Sequence, residues 1–173
     1  MNRTIRLLGV SATAGILSFG ISAPSAMAMT SANAAAPTAA RHTESFDYTR
    51  VIQSRSSGRC LDDSFQYGLR FFPCNNLGYQ KFTVHNLNGP VTLVNQATGR
   101  CVWDSPNGIR ATNCDRVSNN QAWYINNWGT GGVGISNRST GRCIYHYVVQ
   151  KNVSVIGTTQ CNWNAREQSF LLR

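Results

Sequence analysis

The feature that most constrains this chain is a composite signature that occurs three times between residue 46 and the C-terminal residue 173. Each copy begins with Gly-Arg-Cys, with the cysteines at positions 60, 101 and 143, and continues to a second cysteine and a Gln-x-aromatic triplet. A period of about 40 residues indicates one supersecondary unit that is copied and buries its apolar side against the other copies. Residues 46–173 are therefore expected to form one domain of three similar units.

Within each unit, short apolar runs alternate with turn-forming residues, which is typical of short strands. Strands are predicted before each Gly-Arg-Cys, before each second cysteine and at each triplet. No sustained helical periodicity occurs after Phe46. The domain is expected to be nearly all β. The predicted strands are 48–53, 69–72, 82–84, 91–95, 109–112, 123–125, 133–137, 154–159 and 170–172.

The six cysteines allow 15 pairings, and the repeat narrows the choice, because each unit has one cysteine at each of two equivalent places and pairing within a unit treats all three units alike. Such bridges close short loops and contribute on the order of 3 kcal/mol each. The spacings contain no two-residue or four-residue chelate of the kind that binds zinc. We expect no metal and no cofactor. The expected disulfides are Cys60–Cys74, Cys101–Cys114 and Cys143–Cys161.

The first 34 residues are predicted to be a secretory signal peptide. Two arginines precede an apolar stretch from residue 7 to residue 21, and small residues then offer cleavage after Ala28 or after Ala34. The apolar stretch is too short to span a bilayer as a helix. Residues 35–45 are interpreted as a linker before the domain of residues 46–173. The mature protein is therefore expected to be secreted, with no membrane span.

The chain is basic, with 16 Lys and Arg against 7 Asp and Glu and a formal net charge of +9. A basic surface can adhere non-specifically to anionic polymers such as cell-wall phosphates, sulfated glycans or nucleic acid. No specific nucleic-acid motif is present. The sequence also lacks a Gly-x-Ser-x-Gly elbow, a His-Glu-x-x-His helix and nucleotide-binding glycine patterns. We expect no enzymatic activity.

With its three Gly-Arg-Cys motifs, three second cysteines and three Gln-x-aromatic triplets, the sequence resembles the ricin B-type β-trefoil lectin family. The resemblance implies a β-trefoil, in which six strands close a barrel and three hairpins cap it. It also implies that the triplet glutamine hydrogen-bonds backbone within its unit and that the aromatic residue packs into the shared core. The residues in these structural positions are Gln80, Phe82, Gln121, Trp123, Gln168 and Phe170.

The resemblance further implies where a sugar would bind. Family sites use an Asp two residues after the first cysteine of a unit. They also use a Gln four residues before the second cysteine, an aromatic residue two residues before it, and an Asn just before the Gln-x-aromatic triplet. The carboxylate accepts hydrogen bonds from sugar hydroxyls, and the ring covers the apolar sugar face. In the first unit Asp62 and Phe72 match, whereas Arg70 replaces the Gln and Tyr79 replaces the Asn.

The second and third units depart further from that pattern. The second unit keeps Asn120 but has Trp103 in the Asp position. Its aspartate, Asp104, lies one residue later in the sequence, and because side chains alternate between the two faces of a strand, Asp104 is expected on the opposite face. The third unit has Tyr145 in the Asp position, Thr159 in the aromatic position and Glu167 in the Asn position. At most one family-like site is predicted, in the first unit. The candidate carbohydrate-binding residues are Asp62, Arg70, Phe72, Tyr79 and Asn120.

Several of these residues also have structural interpretations. Asp62 and Asp63 can be a turn pair that bonds backbone. The arginines of the Gly-Arg-Cys motifs recur with the turn, so we expect them to hydrogen-bond carbonyls or cover the barrel end rather than bind ligand. Some aromatic residues lie outside the predicted core and form either a binding surface or part of the cap. These are Trp103, Tyr145, Tyr147 and Trp163. The histidines at 42, 85 and 146 are scattered and come with no evident nucleophile or metal partner.

The sequence leaves three alternative hypotheses about function. The first is a secreted, non-catalytic carbohydrate-binding module whose partner is a carbohydrate or glycoconjugate. The second is a trefoil that serves as a protein-interaction subunit of a secreted toxin-like or cell-surface assembly. The third is non-specific adhesion to polyanions. The first hypothesis is the one that the resemblance favours.

Overall fold

The structure is a computed structural model that describes residues 47–85, 89–128, 131–149 and 153–173. The predicted signal peptide, its cleavage sites and the linker lie outside the described residues. Within these ranges the regular structure consists of twelve strands and three one-turn 3-10 helices. The helices are Gly78–Gln80, Asn119–Gln121 and Arg166–Gln168. The strands are β1 (Tyr48–Ser54), β2 (Cys60–Ser64), β3 (Gly68–Phe72), β4 (Lys81–His85), β5 (Val91–Asn95), β6 (Cys101–Ser105), β7 (Gly108–Thr112), β8 (Ala122–Trp128), β9 (Gly132–Asn137), β10 (Cys143–Val148), β11 (Ser154–Thr159) and β12 (Phe170–Leu172).

Six strands form a closed antiparallel ring in the order β1, β4, β5, β8, β9 and β12. The ring closes where β12 pairs with β1, with Ile52 opposite Leu172 and Ser54 opposite Phe170. The remaining strands form three hairpins, β2–β3, β6–β7 and β10–β11, one in each repeat. The structure therefore confirms the predicted β-trefoil.

The barrel interior is filled from alternate positions of the ring strands, as the two-residue period of a strand requires. In β5, Val91 and Leu93 are buried while Thr92 between them is partly exposed. The triplet aromatics Phe82, Trp123 and Phe170 are completely buried. They belong to one cluster with nine further apolar residues: Ile52, Leu61, Phe71, Val84, Val91, Leu93, Val102, Ile135 and Ile144.

The Gly-Arg-Cys motifs occupy the same turn three times. Gly58, Gly99 and Gly141 have φ angles of 73°, 67° and 67°, in the left-handed region where a side chain is strained. Each glycine N–H donates to the carbonyl of the residue four positions earlier, at 2.8, 2.9 and 2.9 Å. The glycine of the motif is thus required by the backbone of the turn.

The disulfides are Cys60–Cys74, Cys101–Cys114 and Cys143–Cys161, one within each repeat. This confirms the pairing that the repeat predicted. Such bridges are typical of extracellular proteins. No helix in the described segments is long and apolar enough to cross a membrane.

Each triplet glutamine bridges two backbone groups of its own repeat. Gln80 accepts from the Asn75 N–H at 2.8 Å and donates to the Pro73 carbonyl at 3.0 Å. Gln121 and Gln168 make the same pair of contacts in the second and third repeats. These side chains hold the loop after the second cysteine against the 3-10 helix.

The sequence-based prediction missed the strands that start at the first cysteines, β2, β6 and β10. The reason is that these strands do not alternate in burial. In β2 the residues from Cys60 to Asp63 are all buried, since both of its faces are covered, and the two aspartates obscure the apolar pattern. The interpretation of Asp62 and Asp63 as a turn pair is therefore wrong: both lie within a strand.

Candidate functional site

The first hairpin brings three of the predicted contact residues to one face. In the β2–β3 pair, Asp62 lies opposite Arg70, and Phe72 follows two residues later in β3. Because side chains alternate between the faces of a strand, all three point to the same side. Tyr79 approaches from the 3-10 helix after the second cysteine.

These four side chains line a cavity of about 300 Å³. Phe72 and Tyr79 are 38 % and 40 % exposed, so their rings are available to a ligand. Aromatic surface with a few convergent polar groups is typical of small-molecule sites. The sequence analysis missed the rest of the lining, which comes from the hairpin turn and from the loop after Cys74: Ser64, Phe65, Gln66, Tyr67 and Asn75.

Arg70 is held on three sides within this cavity. Its Nε donates to Asp62 Oδ1 at 3.1 Å, which forms an ion pair with a carboxylate that is almost fully buried. Its guanidinium carbon lies 4.3 Å from the centroid of the Tyr67 ring and 4.3 Å from that of the Phe72 ring. Gln80 Nε2 also donates to the second oxygen of Asp62, at 3.4 Å. The acid of the predicted sugar site is therefore already engaged by protein groups.

The second repeat is built differently at the equivalent positions. Trp103 lies opposite Arg110, whose guanidinium carbon is 4.1 Å above the indole ring. Asn120 donates its side-chain N–H to the Asp104 carbonyl oxygen at 2.6 Å. Asn120 thus lies in a different repeat from the other four candidates and does not line their cavity.

The third repeat carries a second concave surface. Tyr145 lies opposite Gly157 and occupies the space that a side chain at Gly157 would need. Its ring stacks on that of Tyr147, with centroids 5.8 Å apart. A cavity of about 360 Å³ is lined by both rings together with Thr158, Thr159, Ala165, Glu167 and Gln168. The sequence analysis leaves Tyr145 and Tyr147 open as a binding surface or part of the cap, and both rings line this cavity.

Asp63 and Asp104 are structural. Both are completely buried, and each pairs with the arginine of the next repeat's Gly-Arg-Cys motif. Arg100 donates its Nε to Asp63 at 3.0 Å and Arg142 donates to Asp104 at 3.2 Å. These arginines also reach carbonyls, as expected from the sequence, but their main partner is a carboxylate of the neighbouring repeat.

His146 takes the equivalent position in the third repeat and was missed by the sequence analysis. It is fully buried and stacks on Phe71 with ring centroids 4.1 Å apart. Its two nitrogens lie 3.1 Å from Ser57 Oγ and 2.8 Å from Ser154 Oγ. Burial, and secondarily the charge of Arg59, lower the pKa of His146 to about 4. The available signal was its place three residues after a first cysteine, where the other repeats have Asp63 and Asp104.

No group of three or more His, Cys, Asp or Glu side chains in the described part of the chain is placed to hold a metal ion.

Comparison with known proteins matches residues 48–170 to the model of the ricin-type β-trefoil lectin domain. Among solved structures, the chain is similar to the designed three-fold symmetric protein ThreeFoil, with 16 % identity, a TM-score of 0.62 and coverage of 72 % of this chain and 96 % of that one. It is also similar to the cytolethal distending toxin of Actinobacillus actinomycetemcomitans, with 19 % identity, a TM-score of 0.62 and coverage of 72 % and 89 %.

A further similarity is to the hemolytic lectin CEL-III, with 20 % identity, a TM-score of 0.57 and coverage of 71 % of this chain and 29 % of that one. No curated protein sequence matches the chain. At these identities the solved structures support the fold alone.

Proposed function

The chain belongs to the ricin-type β-trefoil lectin family, and we propose that it acts as a secreted carbohydrate-binding module whose site is the cavity of the first repeat. The observation that carries the proposal is the convergence of Asp62, Arg70, Phe72 and Tyr79 on that cavity. These residues stand at the positions that family members use for sugar. Exposed rings and hydrogen-bonding side chains together match the apolar and hydroxylated faces of a saccharide.

We propose that the module is not itself a hydrolase. Glycoside hydrolysis commonly requires two carboxyl groups that flank the scissile bond. Among the described residues, Asp62 is the only acid that lines the first cavity, and it is buried in an ion pair with Arg70. Within the same described ranges, Glu167 is the only acid that lines the third-repeat cavity. Solved structures similar to this chain include an endo-β-galactosidase of Clostridium perfringens, in which the similar region is 31 % of the chain. That proportion is consistent with a role as an accessory domain.

Secretion is supported by the signal-peptide pattern and by the three disulfides, since such bridges persist in oxidising compartments. Expression of the full chain in a secreting host tests this part of the proposal. We expect the protein in the medium with an N terminus at residue 29 or 35. Absence of the protein from the medium would contradict secretion, and retention of residue 1 on the secreted protein would contradict cleavage of a signal peptide.

The binding proposal is tested on a glycan array with the purified protein and two variants. Phe72→Ala removes a ring that lines the cavity, and we expect it to lower the array signal at least about tenfold. Tyr124→Ala is the matched control, because Tyr124 is similarly exposed but lies on β8, outside the cavity lining. Equal signals from both variants would contradict the site, and an array with no hits would contradict the function.

A second candidate function is a protein-interaction subunit of a secreted assembly. Trp163 is 61 % exposed and contacts Trp128 with ring centroids 5.3 Å apart, on a surface that the first cavity does not include. Large exposed rings commonly anchor protein interfaces. Recovery of a stoichiometric partner with the wild-type protein but not with Trp163→Ala, together with an empty glycan array, would favour this function.

A further inference from the structure

Asp62 is poorly available to the hydroxyls of a neutral sugar. Its side chain is 4 % exposed, and one oxygen accepts from Arg70 Nε while the other accepts from Gln80 Nε2. The negative charge that would attract hydroxyl donors is balanced by the guanidinium beside it. In this chain Asp62 orients Arg70.

Phe72, the ring expected to cover the sugar, is also engaged. The guanidinium of Arg70 lies over one of its faces, 4.3 Å from the centroid, and over Tyr67 at the same distance. A neutral sugar that stacked on this face of Phe72 would have to displace Arg70 from two rings and from its ion pair. Displacement would leave Asp62 buried without its cationic partner, which is costly.

Arg70 itself is the polar group that remains available. Its side chain is 29 % exposed, and in the described structure only its Nε has a hydrogen-bond partner. The two terminal amino groups therefore keep their N–H donors for a ligand. A guanidinium that is positioned by an ion pair and two ring contacts presents a fork that matches a carboxylate or a sulfate through two parallel hydrogen bonds.

The surroundings favour an anion as well. Asp62 is the only acid among the cavity-lining residues that the structure describes, and Arg70 already neutralises it. The other polar residues around the cavity are uncharged and suit the hydroxyls of a sugar ring. They are Ser64, Gln66, Tyr67, Asn75 and Tyr79. An acidic sugar can therefore occupy the cavity without meeting an unpaired negative charge.

We infer that the first-repeat cavity selects acidic saccharides, with Arg70 bound to the carboxylate or sulfate and the neighbouring rings and amides in contact with the sugar. This inference rests on the proposed carbohydrate-binding function and names the ligand class of that site. It differs from non-specific adhesion of a basic surface, because one positioned guanidinium makes the contact.

The test uses an array that presents neutral glycans beside their carboxylated and sulfated counterparts. The key variant is Arg70→Gln, which restores the amide found in the family pattern. Arg110→Gln is the matched control, since Arg110 occupies the equivalent position of the second repeat and lies over Trp103. Arg70→Lys preserves the charge beside Asp62 and keeps the test valid if Arg70→Gln is unstable.

We expect wild-type binding to acidic members at least about tenfold above their neutral counterparts, because a bidentate charged contact is worth that much in affinity. Arg70→Gln should abolish the preference, Arg70→Lys should reduce it at least about threefold, and Arg110→Gln should leave it intact. Loss of wild-type binding with salt should be shallow, as one ion pair requires, rather than the steep loss of a polyanion binder.

Equal wild-type binding to neutral and acidic members, or an acidic preference that survives both Arg70 variants, would overturn the inference while leaving the carbohydrate-binding function in place. An equal loss in Arg110→Gln would assign the preference to general positive charge and also overturn it. An array without any hits would overturn the proposed function itself.

Discussion

Two of the three junctions between repeats are held by a buried carboxylate, whereas the third is held by a buried imidazole. Asp63 forms an ion pair with the Gly-Arg-Cys arginine of the second repeat, and Asp104 forms one with that of the third repeat. At the junction between the third and first repeats, His146 takes that place and contacts Ser57. The same backbone arrangement thus tolerates a charged or a neutral network.

What the three junctions share is a hydroxyl from the residue before the motif glycine, which hydrogen-bonds the buried side chain of the neighbouring repeat. Thr98 and Thr140 donate to the two aspartates, and Ser57 takes the equivalent position beside His146. A buried polar group that lacks a partner costs far more than the net value of the bond it makes. The symmetry of the fold therefore constrains hydrogen bonding and packing, while the charge at the junction is free to change.

Asp104→Asn should have the largest effect. The carboxylate of Asp104 accepts from Arg142 and from the hydroxyls of Thr140 and Thr158, and an amide cannot accept at its nitrogen. We expect a loss of about 3 kcal/mol or more in the free energy of unfolding, measured with urea. The control is Asp115→Asn, because exposed Asp115 accepts one backbone N–H that Asn can also accept. A loss below about 1 kcal/mol for Asp104→Asn would show that the junction does not depend on the charge.

Acidification should destabilise the protein through the imidazole junction. The pKa of His146 falls from 6.5 to about 4 on folding, so between these values the unfolded chain binds a proton that the folded protein does not. The stability that this group contributes is full above pH 6.5 and is lost as the pH falls toward 4, by up to about 3 kcal/mol. Urea unfolding at pH 7.0, 5.5 and 4.5 measures the loss.

In His146→Gln this part of the acid sensitivity should disappear. His85→Gln is the control, because half-buried His85 pairs with Asp47 away from the junction. If wild type and His146→Gln lose the same stability between pH 7.0 and 4.5, the imidazole is not the sensitive group.

His146→Asp should convert the third junction to the type found at the other two. In that background Arg59 gains a carboxylate at the position where Arg100 and Arg142 have theirs. A double-mutant cycle with Arg59→Met should give a coupling energy of about 1 to 2 kcal/mol, whereas absolute stability falls because the stacking on Phe71 is lost. A coupling energy near zero would mean that the junctions differ in more than this side chain.

Arg59→Met alone should have the smallest effect. Arg59 has no carboxylate partner in the described structure, and its charge acts unfavourably on protonated His146. We expect a change within about 0.5 kcal/mol at pH 7, against about 2 kcal/mol or more for Arg142→Met, measured by urea unfolding. A loss for Arg59→Met comparable with that for Arg142→Met would remove the distinction between the junctions.

The parts of the fold that could be predicted are those that depend on local rules repeated three times. A left-handed turn requires the glycine of each motif, and two cysteines per unit allow a pairing within each unit that treats the units alike. The three strands that begin at the first cysteines could not be predicted, because their burial on both faces depends on neighbouring repeats. The roles of Asp63, Asp104 and His146 depend on partners that are 35 to 90 residues away in the chain.

The candidate site also has a part that the sequence could predict and a part that it could not. The spacing of Asp62, Arg70 and Phe72 is set by the hairpin register, so their common face could be predicted by analogy with the family. The position of Arg70 between two rings could not, since Tyr67 comes from the hairpin turn and carried no signal of its own.

The sequence by itself determined three nearly all-β repeats and the disulfide pattern, because period, cysteine spacing and turn chemistry are local properties that are repeated three times. The resemblance to the ricin B-type family implied the trefoil and pointed to the first repeat as the place to look for a site. Only the tertiary structure decided that Asp62 is engaged by Arg70 and that the repeats are joined by two ion pairs and one imidazole. Which charges meet in a protein interior depends on contacts between distant parts of the chain, and no local pattern specifies those contacts.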